Sequence, residues 1–75
     1  MRQRWIEQLR YLTVVIHTTT AQSIRGVLVG TYKDSLVLAH ADFLQGDTTT
    51  TIDGDVVIPR DKVAWIQTLQ ANEVR

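Results

Sequence analysis

Two long runs dominated by Val, Leu, Ile, Tyr and Thr meet at Tyr32-Lys33-Asp34-Ser35, in the stretch from Ser23 to Leu44. β-branched and aromatic residues favour strands, and a short polar break between two such runs predicts a central hairpin. The break offers Asp34, whose short carboxylate side chain can bond nearby backbone and tolerate an unusual dihedral. Before the hairpin, Thr13-Val14-Val15-Ile16-His17-Thr18 predicts a first strand, linked to the second (residues 23–31) by the polar connection Thr19-Thr20-Ala21-Gln22. The third strand is expected over residues 36–43. A fourth is expected at Asp55-Val56-Val57-Ile58, ended or edged by Pro59, and a fifth over residues 63–69 after a turn at Asp61-Lys62.

Residues 45–54 carry Gly46, Gly54 and the run Thr48 to Thr51, and read either as a long loop or as an extended hairpin tip. At the start of the chain, Trp5, Ile6, Leu9 and Leu12 recur at helical spacing among Arg4, Glu7, Gln8 and Arg10, which predicts a short amphipathic helix over residues 2–12. Such a helix is too short to stand alone in water and is expected to dock as a lid, with a membrane-surface or partner-binding role as the alternative. Residues 70–75 form a polar tail. In the second strand, Gly26 and Gly30 lie four apart, so both are expected on one face, where missing side chains let the strand bend sharply.

Composition narrows the functional classes. The chain has 75 residues and no cysteine, so it is read as a single small domain, without disulfides or thiolate metal ligands. A core this small is marginal, which makes association with other copies the expected source of added stability. Eight basic residues equal eight acidic ones, so no overall field draws in nucleic acid or an anionic membrane. No apolar run approaches the ~20 residues of a membrane helix, and the expected location is the cytoplasm or a virion.

Candidate chemistry is sparse. His17 and His40 each lie inside an expected strand, and Ser23 and Ser35 lack the context of an activated nucleophile, so no catalytic residue, metal ligand or cofactor is assigned. Asp53-Gly54-Asp55 lacks the regular oxygen-ligand spacing of a calcium loop. Charge is unevenly placed, with Asp42, Asp47, Asp53 and Asp55 in one region and Arg2, Arg4 and Arg10 in another, an arrangement suited to docking on other proteins.

Gly26-Val27-Leu28-Val29-Gly30 followed by Leu36-Val37-Leu38 resembles the first Sm motif, and the segment from Val56 to Ile66 is similar to the second in length and apolar positions. The resemblance covers most of the chain. It implies a mostly β fold: the short N-terminal helix followed by a five-stranded, strongly bent antiparallel open barrel of the Sm-like, SH3-type kind. It also implies rings in which the fourth strand of one subunit pairs with the fifth of the next. The residues then expected at the oligomer interface are Val56, Val57, Ile58, Val63, Trp65 and Ile66, and Pro59 would protect an edge if the chain were instead a monomer.

The family's base-binding residues are kept only in fragments. Asp34 and Ser35 stand in the turn that carries an aspartate and an asparagine, and Ile58 matches the motif's isoleucine. Pro59 and Arg60 replace its arginine and glycine. Tyr32, Lys33, Asp34, Arg60 and Lys62 are the candidate nucleic-acid contacts, expected to be weak. The sequence thus points to a non-enzymatic, self-assembling interaction module, a ring-forming subunit of a larger scaffold such as the capsid or connector of a phage particle. An Sm-like single-stranded RNA- or DNA-binding module is the alternative, and a monomeric adaptor domain the third.

Overall fold

The computed structural model describes residues 11–69. Six strands form one antiparallel sheet: β1 (Thr13–Thr18), β2 (Ser23–Tyr32), β3 (Ser35–Gln45), β4 (Thr48–Thr51), β5 (Val56–Pro59) and β6 (Val63–Leu69). The order is β4-β3-β2-β1-β6, with β5 also paired to β3. A 3-10 turn, Arg60–Lys62, joins β5 to β6.

The five-strand expectation changes at one place. β4 and β5 both run along β3, Asp42 to Gln45 facing Thr51 to Thr48 and Ser35 to Leu38 facing Pro59 to Val56. They are one long strand broken in two. Between the two ladders β3 has three residues (Ala39, His40, Ala41) while the partner has four (Ile52, Asp53, Gly54, Asp55), and the surplus residue leaves the ladder as a bulge. Gly54 takes φ +81° there, and Ile52 N–H still donates to the Ala41 carbonyl at 2.9 Å. Residues 45–54 are accordingly a hairpin tip, turned at Gly46-Asp47 with Gly46 at φ +60°, followed by this break.

The sheet bends along the same line. Between the pairs Arg25–Asp42 and Val27–Ala39, one β2 residue, Gly26, faces two β3 residues, His40 and Ala41. His40 adopts φ +52° to make the bulge. A Cβ on Gly26 would stand 3.1 Å from the Ala39 carbonyl oxygen and 3.2 Å from the Ala41 Cα, so the missing side chain is what lets β3 fold over β2. Gly30 differs. A second bulge at Val29 restores the register and sets Gly30 opposite Val37, away from the face of Leu36 and Leu38, and a Cβ there would meet open space. The expectation that both glycines share a face and a role is corrected: the intervening bulge breaks the period of two on which it rested.

The bent sheet closes on Val14, Ile16, Leu28, Leu36, Leu38, Ala41 and Ile58, with Ile24, Ile52, Val56, Val63 and Ile66 packed around them. β1 is buried on both sides. Val15 points away from this core yet is only 6% exposed, flanked in the ladders by the long side chains of Arg25 and Gln67. On the same outer face Arg25 reaches Asp42 at 3.0 Å.

The central hairpin turns at Lys33-Asp34 as expected, but the left-handed residue is Lys33, at φ +55°, and not Asp34. Two-residue hairpin loops need the strand twist matched at their first position, and this requirement outweighs the preference of aspartate for that conformation. Residues 2–10 of the expected helix, and the tail, lie outside the described residues. Tyr11, at φ +66°, and Leu12 are not helical: Tyr11 N–H donates to the Leu28 carbonyl and Leu28 N–H to the Leu12 carbonyl, so this segment leads into β1 alongside β2.

Gly26→Val is expected to cost about 1–3 kcal/mol through the clash with β3 backbone, whereas Gly30→Ala should stay within about 0.5 kcal/mol. Urea unfolding of the two variants beside the wild type checks this; equal midpoints would remove the special role of Gly26.

Candidate functional site

The candidate nucleic-acid residues come from two distant parts of the chain, and the fold joins most of them. The β2–β3 turn supplies Tyr32, Lys33 and Asp34, and the 3-10 turn supplies Arg60. Arg60 N–H donates to the Asp34 carbonyl at 2.8 Å, which fixes one turn against the other. Asp34, Ser35, Pro59, Arg60 and Asp61 line an open cleft of about 400 Å³ at this junction. Tyr32 is 62% exposed, with the Lys33 ammonium 5.5 Å from its ring centroid. Lys62 sits at the other end of the 3-10 turn, where its carbonyl accepts from Thr19 N–H at 2.9 Å. Two carboxylates, Asp34 and Asp61, offset the cations Lys33 and Arg60, so the cleft offers a phosphate little net attraction.

The six expected interface residues separate into two groups. Ile58 is in the core at 4% exposure, and Val56, Val63 and Ile66 pack against it. Val57 and Trp65 point outward, 52% and 57% exposed. Their strands lie at the two ends of the sheet. β5 pairs with β3 alone and β6 with β1 alone, so each has one edge whose backbone groups are unpaired within the described chain.

A third constellation escaped the sequence reading. His17 and Trp65 are cross-strand partners on β1 and β6, and their rings stack with centroids 3.8 Å apart and planes 13° from parallel. His17 Nδ1 lies 3.0 Å from Ser23 Oγ on β2, and Nε2 lies 3.4 Å from Gln67 Oε1 on β6. An amide oxygen can only accept, so Nε2 is the donor to Gln67, and in that tautomer Nδ1 accepts from the Ser23 hydroxyl. The Ser23–His17 contact has the reach of a nucleophile–base pair. Register alone brings His17 and Trp65 together, and residues 48 positions apart give no sequence signal for it.

At the break between β4 and β5 a second cleft, about 340 Å³, is lined by Ala39, His40, Thr51, Ile52, Asp53, Gly54 and Asp55. Among the described residues no group of three His, Cys, Asp or Glu is placed to hold a metal ion, and no helix among them is long and apolar enough to cross a membrane.

No protein-family model matches the sequence, and no curated protein matches it. Solved structures do match. The chain is similar to a heptameric archaeal Sm protein at 18% identity, over 89% of this chain and 98% of that one, with a TM-score of 0.79. It is similar to the Pyrococcus abyssii Sm protein in complex with a uridine heptamer at 25% identity, over 92% and 100% of the two chains, with a TM-score of 0.77. A chain of the NatC complex bound to CoA matches at 24% identity, over 83% and 80%, with a TM-score of 0.72.

His40 carries a side chain in a left-handed conformation that glycine adopts without strain. His40→Gly is therefore expected to raise stability by about 0.5–1 kcal/mol, read as a higher urea midpoint; a lower midpoint would show that the imidazole itself holds the break together.

Proposed function

The chain has the Sm-like fold in a divergent form, and we propose that it acts as a non-enzymatic, self-assembling interaction module whose copies join edge to edge in a closed ring. The observation that carries this is the pair of open edges, β5 at one end of the sheet and β6 at the other. Two different edges on one subunit make a head-to-tail contact, and a rotation that closes removes every free edge. Antiparallel pairing that sets Val57 of one copy opposite Trp65 of the next also sets Val56 opposite Ile66. Inward residues then meet inward residues, and outward meet outward. The heptameric state of a similar Sm protein supports the reading. Seating of such a ring on a larger scaffold, for which a phage particle is an instance taken by analogy from the family resemblance, is the finer form of the proposal; exposed Asp47, Asp53 and Asp55 along the β4 side would supply an acidic docking surface.

A second reading rests on the Arg60–Asp34 backbone bond, which unites the two turns, and on the uridine heptamer bound by a similar protein. It makes the cleft a contact for single-stranded nucleic acid. The balanced charge of the site predicts weak binding that falls steeply with salt.

Light scattering after gel filtration is expected to give a mass several times that of the 8.5 kDa chain, and Val57→Lys, which puts a charge on the β5 edge, should weaken assembly at least about tenfold. A single-chain mass for the wild type at micromolar concentration sinks the ring. For the second reading, uridine-rich and mixed oligonucleotides are titrated at near-physiological salt against the wild type and an Arg60→Glu/Lys62→Glu variant. Sub-micromolar affinity abolished in the variant would put the nucleic-acid module first.

A further inference from the structure

Of the six aspartates in the chain, only Asp53 is followed by a glycine. The Gly54 nitrogen is the backbone amide next along the chain from the Asp53 carboxyl, and glycine carries no side chain to obstruct a meeting of the two. Inside a ladder such a pair is inert, because strand pairing fixes the dihedral between the residues and engages the amide N–H. Asp53 and Gly54 lie outside both ladders. β4 ends at Thr51 and β5 begins at Val56, and the two residues form an exposed bend in the surplus segment between them. Among the described residues neither the Asp53 carboxylate nor the Gly54 N–H has a hydrogen-bond partner. A Cβ on Gly54 would meet nothing within 4 Å, so the space around this amide is open. The other exposed aspartate of the hairpin differs: Asp47 precedes Thr48, which is β-branched and held in the ladder opposite Gln45. Asp42 is bound to Arg25 at 3.0 Å, and Asp34 is held through its carbonyl by Arg60 N–H.

We propose that Asp53 is a modification site, at which the backbone rearranges to isoaspartate while the chain stays folded. In the first step the Gly54 nitrogen attacks the Asp53 carboxylic acid. The N–Cγ bond forms, the Cγ–OH bond breaks, and the hydroxyl leaves with the amide proton as water, which closes a succinimide ring. Water then adds to one of the two ring carbonyls. Cleavage between Cγ and nitrogen restores aspartate; cleavage between the main-chain carbonyl carbon and nitrogen leaves the backbone running through Cβ and Cγ, with the α-carboxylate as the side group. One water is released and one consumed, so the rearrangement needs no other reactant. The fold accepts the product for the same reason that it permits the reaction. Isoaspartate lengthens the path from Ile52 to Val56 by one carbon, and these two residues are held on β3, at Ala41 and Leu38. Between the ladders this segment already has four residues against three on β3, so the bulge grows outward and both anchors stay. The site stands whether or not the chain forms a ring.

The test incubates the full chain for weeks in mildly acidic buffer at physiological temperature, folded and, in parallel, unfolded in guanidinium chloride. Isoaspartate is read as methyl transfer from S-adenosylmethionine by a protein-isoaspartate methyltransferase. It is located by digestion, after unfolding, with an endoprotease that cuts before aspartate and not before isoaspartate. The expected result is methylation that grows in the folded sample at a rate comparable to that in denaturant, with progressive loss of cleavage before Asp53 and unchanged cleavage before Asp47. Asp53→Glu keeps the charge and closes no succinimide, so it should lose most of the methylation. Signal in denaturant with none in the folded chain overturns the proposal, because the fold would then hold the pair out of reach. Absence of signal in both samples, methylation undiminished in Asp53→Glu, or a signal mapped to another position overturns it as well.

Discussion

Everything in this fold depends on how closely the backbone of β3 can approach β2 at one level of the sheet. Gly26 leaves the space: a Cβ at that position would stand 3.1–3.2 Å from Ala39, Ala41 and Leu38. Opposite it, His40 turns left-handed and β3 gains a residue relative to β2. One strand further, the partner of β3 breaks at Asp53-Gly54-Asp55. The three irregularities form a line across three strands, and together they bend an otherwise flat ladder until Leu28, Leu38, Ala41 and Ile58 meet in one core. Sheet curvature is thus concentrated at a few residues and not spread along the strands.

The bend also decides where the edges lie. Because β3 gives its first half to β5 and its second half to β4, the two halves of that edge differ in character. β4 is four exposed threonines, and β5 is apolar with a proline at its end. At the other end of the sheet β6 has only β1 as neighbour. A chain of this size buries a limited core, so an apolar edge at each end would give association a driving force and a direction. Outward Val57 and inward Val56 and Ile58 keep the period of two that a partner strand needs in order to extend the core row.

The sequence reveals most where composition acts locally. The β-branched run Thr13–Thr18 and the segment Val63–Leu69 form strands with the bounds read from the sequence, since each is flanked by polar turn residues. The hairpin of β2 and β3 was legible for the same reason. What failed needed register. Gly26 and Gly30 look equivalent in a simple alternation, and only the bulge at Val29 separates them. Lys33 holds the left-handed position beside an aspartate better suited to it, because loop geometry assigns the dihedral by place and not by residue type. Ile58 reads as an edge residue in an isolated strand but falls in the core once β5 lies against Leu36. The approach of Asp34 to Arg60 followed from the motif resemblance, whereas the stack of His17 on Trp65 had no such guide.

Nucleic-acid recognition usually couples two terms, attraction to phosphate and contact with bases, and the charges of this chain bear on the first. Its charges sum to zero, and Asp34 and Asp61 line the turn cleft together with Arg60. Two aromatic side chains, by contrast, are exposed: Tyr32 beside the β2–β3 turn, and Trp65 on β6 with one face stacked on His17. A strand bound to such a surface would gain little from long-range steering and little from counterion release, so its contacts would have to come from stacking and short hydrogen bonds at fixed positions. Such contacts are individually weak. Repetition in a closed assembly would change that, since identical platforms at a constant spacing convert a weak single contact into avidity along a strand. In a ring built as proposed, the edges of the sheet would provide the copies, and an exposed aromatic repeated in each copy, such as Tyr32, would provide the contact.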